Sequence, residues 1–254
     1  DNFSVQANST DINPSSNDLP GRQTGLYAGT TYTERTSNPA DYVQVDHADY
    51  PQALRLAASN PGTGLISVSP DVNFTSFSGG QHFMLEYDLK PTEIGGLNSW
   101  SAVVVGASSQ TASVNTSDGI GFLIRGSGSY QIFDGTDGAN DSKQSGALAS
   151  PLDPEGWYDV RINYYAPAFD DVSRGGVSIF VDDTLIYSAA TDSGFLNNYL
   201  VFLGEAEGGL GLTSYGIDNI RLWAAAPEPS AALLLGFGML FVSLPRIRRR
   251  RPGD

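Results

Sequence analysis

Apolar and polar positions alternate with a period of two in several stretches of the chain, and each such stretch predicts a strand with one buried face. In "HFMLEYDLKP", Phe83, Leu85, Tyr87 and Leu89 fall on one side, and Met84, Glu86, Asp88 and Lys90 on the other. Pro91 is expected to end that strand, because proline cannot donate to a ladder. "GWYDVRINYYA" repeats the pattern, with Tyr158, Val160, Ile162 and Tyr164 opposite Trp157, Asp159, Arg161 and Asn163. "SAVVVGA" after Trp100, and "GIGFLIRG" and "SYQIFDG" with a Gly-Ser turn between them, read as further strands.

"GGVSIFVDDTLIYSA" reads as a hairpin turning at or near Asp182-Asp183, since aspartate tolerates turn conformations. "NNYLVFLGEAEGG" and "SYGIDNIRLW" close the series. The opening segment is polar and loop-rich, with one strand expected at Asp1–Gln6. No amphipathic helix interrupts residues 1–223, and no internal repeat occurs. With 29 glycines and only 17% charged residues, the profile is that of a turn-rich globular domain and not of a disordered chain. The expectation is one all-β domain over residues 1–223, a two-sheet antiparallel jelly-roll sandwich.

In their order, "FMLEYDLKP", "DGIGFLIRG", "GWYDVRINY", "VSIFVDDTLIY" and "IDNIRLW" resemble the concanavalin A-like lectin/glucanase superfamily, including its laminin-G-like bacterial domains. The resemblance covers most of Gly80–Trp223 and implies a sandwich with a concave face. A galactose-binding-like jelly roll is the alternative.

The end of the chain changes character. After a linker at residues 224–230 comes an apolar run, Ala231–Leu244, of about 21 Å if helical at roughly 1.5 Å per residue. It is short for a membrane span, which needs about 20 residues. Arg246, Arg248, Arg249, Arg250 and Arg251 follow, and such a cluster cannot enter a protein core unpaired. Residues 231–254 therefore read as a short transmembrane helix with an arginine-rich cytoplasmic end, the acidic domain lying outside. Pro227-Glu228-Pro229, the short apolar helix and the arginine cluster resemble the PEP-CTERM sorting signal of Gram-negative bacteria. The resemblance implies export across the inner membrane, transient residence there, and removal of the tail by an exosortase-type membrane protease. The chain begins at Asp1, where a secretion leader is expected to have been removed.

Charge narrows the partners. The 28 acidic residues outnumber 14 basic ones, and five of the basic residues sit in the tail. So acidic a body repels phosphates, which excludes nucleic acid as a partner. The absence of cysteine excludes disulfides, thiolate metal sites and a cysteine nucleophile.

Catalytic candidates fail on the residues themselves. Laminarinase-type glucanases of the superfamily carry alternating Glu-x-Asp-x-Glu on one strand face. Here Glu86-Tyr87-Asp88-Leu89-Lys90 places a cation where the third acid should stand, so a polar strand face is expected instead. His47, expected in a loop or turn, and His82, at a strand start, have no companions at zinc spacing, and no Gly-x-Ser-x-Gly elbow occurs. Lyase residues drawn from scattered strands would leave no motif.

"FDGTDGANDSKQSG" reads as a glycine-rich loop whose Asp134, Asp137, Asn140 and Asp141 offer calcium the hard oxygens it takes, without EF-hand spacing. Asp218-Asn219 is a candidate to pin the N-terminal segment, with or without a metal. For carbohydrate, Trp100 after "GGLNS" is the candidate rim aromatic, and Trp157 is expected to pack at a sheet end. The reading is an exported, non-catalytic cell-surface or matrix protein that binds exopolysaccharide. The alternatives are a glycan hydrolase or polysaccharide lyase on the same fold, and a purely structural matrix component.

Overall fold

The computed structural model describes residues 32–35, 42–47, 50–58, 65–70, 82–93, 99–114, 119–134, 142–165, 175–191, 199–205 and 213–224. The chain separates into Asp1–Ala224 and Ala225–Asp254, and every described residue belongs to the first unit. The sorting-signal residues Pro227, Glu228, Pro229, Arg246, Arg248, Arg249, Arg250 and Arg251 lie outside the described residues, as do Asp1–Gln6 and the tail helix. Among the described residues no helix is long and apolar enough to cross a membrane.

Among the described residues fourteen strands form. The first four are β1 (Tyr32–Arg35), β2 (Tyr42–His47), β3 (Tyr50–Ala58) and β4 (Leu65–Pro70), followed by β5 (His82–Glu93), β6 (Trp100–Ala107) and β7 (Ile120–Arg125). Next come β8 (Ser129–Asp134), β9 (Ser142–Ala147), β10 (Tyr158–Tyr165) and β11 (Gly175–Val181). The last three are β12 (Thr184–Thr191), β13 (Tyr199–Glu205) and β14 (Thr213–Ala224). They build two seven-stranded sheets, β1-β4-β13-β6-β7-β8-β9 and β12-β11-β10-β5-β14-β3-β2. Every pairing is antiparallel, for instance Ile162 with Leu85 and Phe202 with Val103.

The alternation expected for β5 and β10 is observed. Leu85, Tyr87 and Leu89, with Val160, Ile162 and Tyr164, are buried in one cluster with Val103, Val105, Phe122, Ile132, Leu200 and Phe202 of the first sheet. Apolar area leaving water between the sheets stabilises the fold by roughly 1.5–3 kcal/mol for each large side chain. The Phe202 ring meets the edge of Tyr87 across the interlayer, centroids 5.1 Å apart at 76°. The Asp182-Asp183 hairpin forms as expected. Both residues have positive φ, 47° and 58°, and Asp182 is held by hydrogen bonds to Asp159 in both directions.

Four expectations are corrected. Pro91 does not end β5, which continues to Glu93. Beyond Leu89 the strand has left β10, and its ladder with β14 shifts register at Ser214/Tyr215, so the missing N–H is tolerated. His47 is the last residue of β2, paired with Tyr50, and not a loop residue. Ser142–Ala147, read as part of an acidic loop, is edge strand β9; its polar sequence suits a strand with one side open to water. Trp157 does not pack at a sheet end: it precedes β10 and is 43% exposed. Strands β1–β4, moreover, occupy a stretch where no individual strand is predicted.

Candidate functional site

The two sheets turn chemically different faces outward. On β6, β7 and β13 nearly every residue is buried, outward-pointing positions included. Ala102, Val104, Leu123, Val201 and Leu203 form a second apolar cluster on the outer side of the first sheet, with Ala112 and Val114 of the following loop laid over it. Gly121 permits this approach, since a Cβ there would stand 2.8 Å from Val114 Cγ2. Arg35 of edge strand β1 fastens the loop, its Nη1 donating to the Thr111 carbonyl over 3.0 Å.

At the opposite end of the same face the strands finish in a polar row. The ladder places Glu205 of β13 opposite Trp100 of β6, and Trp100 opposite Arg125 of β7. At about 4.8 Å per strand step, Glu205 and Arg125 flank Trp100 at a separation of about 10 Å. Trp100 packs against the outer apolar cluster and is half-buried, which holds its ring. Arg125 Nη2 donates to Gln131 Oε1 of β8 over 2.9 Å, so the guanidinium is held too. Burial pushes the Glu205 carboxyl above the usual carboxylate range. Among the described residues neither Glu205 nor Arg125 has an ion-pair partner of opposite charge. A ring to stack on, a carboxylate to accept from hydroxyls and a guanidinium with an amide to donate make a surface suited to a sugar.

The second sheet's outer face is a charged field whose groups satisfy one another. Glu86 stands in register between Arg161 and Arg221, with Arg221 Nη1 3.5 Å from its Oε2. Arg161 pairs with Asp183 at 3.1 Å and lies 4.5 Å over the Phe180 ring, while Lys90 reaches Glu155 at 3.7 Å. The Glu86-x-Asp88-x-Lys90 stretch is thus a polar strand face, as expected.

Next to it, Asp218, Asp88 and Asp159 stand in one row across β14, β5 and β10. Asn219, at a φ of 50° in an irregularity of β14, donates its Nδ2 to Asp88 Oδ2 (2.6 Å) and its backbone N–H to Asp218 Oδ1 (2.7 Å). Asp218-Asn219 thus makes these bonds within its own sheet, and the N-terminal segment it is expected to pin lies outside the described residues. Burial pushes the Asp218 carboxyl up to about 6, and burial, then the Glu86 charge, raises Asp159.

A carboxyl raised above its unfolded value of 3.8 binds more protons folded than unfolded between that pH and about 6. Its contribution is therefore fullest below 3.8 and is lost as the pH rises towards 6. Asp218→Asn keeps the acceptor for the Asn219 N–H and removes the charge. It is expected to flatten that decline and to raise stability at pH 7 by about 1 kcal/mol, the half-exposed carboxylate being discounted for solvent screening. Denaturant titrations at pH 4.5 and 7 measure both quantities; a variant less stable at pH 7 with the decline intact refutes the assignment.

Of the calcium candidates, Asp134 ends β8, while Asp137, Asn140 and Asp141 lie outside the described residues. Among the described residues no three acidic or histidine side chains are grouped to hold a metal ion. Of the site residues, sequence reasoning found Trp100 and missed Glu205, Arg125 and Gln131. A signal was present: Arg125 and Glu205 each terminate an apolar run, "GFLIR" and "YLVFLGE", while Trp100 begins one. In antiparallel strands such ends meet.

No family model and no curated protein matches the sequence. Solved structures do match. The Emp47p carbohydrate recognition domain superposes with a TM-score of 0.53 at 11% identity, over 86% of this chain and 97% of that one. A point mutant of the Emp46p carbohydrate recognition domain gives 0.54 at 12% identity, over 77% and 89%. The metal-free form of the Emp46p domain gives 0.53 at 11%, over the same shares. At these identities the likeness establishes the fold alone: a two-sheet antiparallel sandwich of the kind those domains have.

Proposed function

We propose that this is an exported, non-catalytic cell-surface or extracellular-matrix protein that binds carbohydrate, exopolysaccharide above all, on the outer face of its first sheet. The observation that carries the reading is the row Glu205–Trp100–Arg125, a fixed aromatic between a hydrogen-bond acceptor and a donor, on a fold shared with carbohydrate recognition domains. Export and sorting rest on Pro227-Glu228-Pro229, the apolar run and the five arginines, whose order is that of a PEP-CTERM signal and whose partner is an exosortase-type protease. The non-catalytic reading is supported by the row itself. That support concerns this row alone: glycoside hydrolysis commonly uses two carboxylates about 5–10 Å apart, and Glu205 shares its row with Leu65, Trp100 and Arg125.

The test is a glycan array with the purified protein, run with calcium and with chelator, and assayed for released reducing sugar and unsaturated products. Binding without product is expected. Trp100→Ala is expected to weaken binding at least tenfold, and Trp157→Ala, on a tryptophan away from the site, to leave it unchanged. Loss of binding with chelator would show a calcium requirement, for which the loop of Asp134, Asp137, Asn140 and Asp141 is the candidate. Product formation would replace the reading with a hydrolase or lyase, and silence on the array would leave a structural matrix component.

A further inference from the structure

We infer that the sugar bound at Trp100 is an acidic one, a uronate whose carboxylate is received by Arg125 and Gln131; the inference rests on the carbohydrate-binding reading above. Acidic residues outnumber basic ones two to one, 28 against 14, so a cation without a carboxylate is conspicuous. Lys90, Arg161 and Arg221 on the second sheet's outer face each sit within 4 Å of one. Arg125 does not. Its hydrogen bond goes to the neutral Gln131 amide, which orients the guanidinium without neutralising it and leaves further N–H donors.

The nearest acid in the row, Glu205, is two strands away with the Trp100 ring between. Among the described residues no ion pair closes that gap, whose backbone width is about 10 Å. A pyranose stacked on Trp100 fits between them and is given a direction. Its carboxylate turns to Arg125, where a planar fork matches a planar anion, and its hydroxyls turn to Glu205, which accepts from them. The Glu205 side of the row repels a carboxylate, so an acidic ring is accepted in one orientation only. A neutral sugar would leave the Arg125 charge unanswered, and an amino sugar would turn to Glu205.

The experiment uses the full chain and matched pairs of oligosaccharides. Oligouronates of gluco, galacto and manno configuration are each compared with the same oligomer carboxyl-reduced to the neutral sugar, by isothermal titration at fixed ionic strength. In a configuration that binds, the acid form is expected to bind at least tenfold tighter than its reduced partner, the worth of a charge-assisted contact. Arg125→Gln, which keeps an N–H donor on a shorter side chain but not the charge, is expected to bring that ratio close to one with an unchanged melting temperature. Trp100→Ala is expected to weaken both bindings at least tenfold.

Equal affinity for acid and neutral partners overturns the inference and leaves carbohydrate binding standing. So does array binding confined to neutral glycans, or an acid preference that survives Arg125→Gln. Absence of binding to every oligosaccharide and every array glycan overturns the carbohydrate reading, and the inference with it.

Discussion

Phe202→Ala is expected to cost about 3–5 kcal/mol, a third or more of the stability of an ordinary domain. Phe202 is fully buried in β13, the strand between β4 and β6, paired with Val68 on one side and Val103 on the other. Its ring crosses the interlayer to meet Tyr87 of the opposite sheet, so truncation removes the contact by which the layers touch at that point. Neighbours anchored in two hydrogen-bonded sheets cannot collapse into the space, and the cavity cost adds to the lost transfer energy. Equilibrium denaturation checks the value. Phe202→Leu, which fills most of the volume, is expected to lose clearly less. A loss below about 1 kcal/mol for the alanine variant would mean that the sheets do not depend on this contact.

Gly128→Val is expected to be nearly as damaging, for a different reason. Gly128 closes the β7–β8 turn at a φ of 78°, a region costly for β-branched residues, and a Cβ there would lie 2.5 Å from the Ser150 carbonyl. Strain alone costs about 1–3 kcal/mol, and the obstructing atom is backbone, so relief requires the segment after β9 to move. That segment is held by Leu148 N–H donating to the Gly128 carbonyl and by Leu152 N–H donating to the Gly126 carbonyl, with Leu152 buried. Gly128→Asn separates the two causes, because asparagine tolerates the dihedral but still brings the Cβ. Thermal melts of both variants are expected to fall, valine further; equal losses would assign the whole effect to the clash. Arg125 carries the carbonyl that accepts from Gly128 N–H, so glycan affinity should fall in step.

The strands legible in the sequence are those with one wet face. In β5 and β10 each polar residue falls between core residues, so period two names both element and face. The hairpin at Asp182-Asp183 was legible from turn chemistry. The outer apolar cluster was not, because "SAVVVGA" and "YLVFL" are apolar on both sides and a continuous run does not reveal what covers it. Its cover includes Ala112 and Val114, two apolar residues in a stretch otherwise polar. Edge strand β9 was missed because "SKQSGA" answers to water on one flank and carries no alternation. The site was half-legible for a related reason: an aromatic announces itself, but Glu205, Arg125 and Gln131 become neighbours only through pairings that join residues up to 105 apart, as Glu205 joins Trp100.

The positions of the last two strands set when the molecule can fold. β13 fills the gap between β4 and β6, and β14 the gap between β3 and β5. A ribosome that has released only the first twelve strands has released two interrupted sheets, in which no strand yet joins β4 to β6 or β3 to β5. Closing loops of that length is also slow, since the entropy is spent before the contacts form. Both sheets are therefore completed only after nearly the whole domain has been synthesised, when the strand that ends at Ala224 is free.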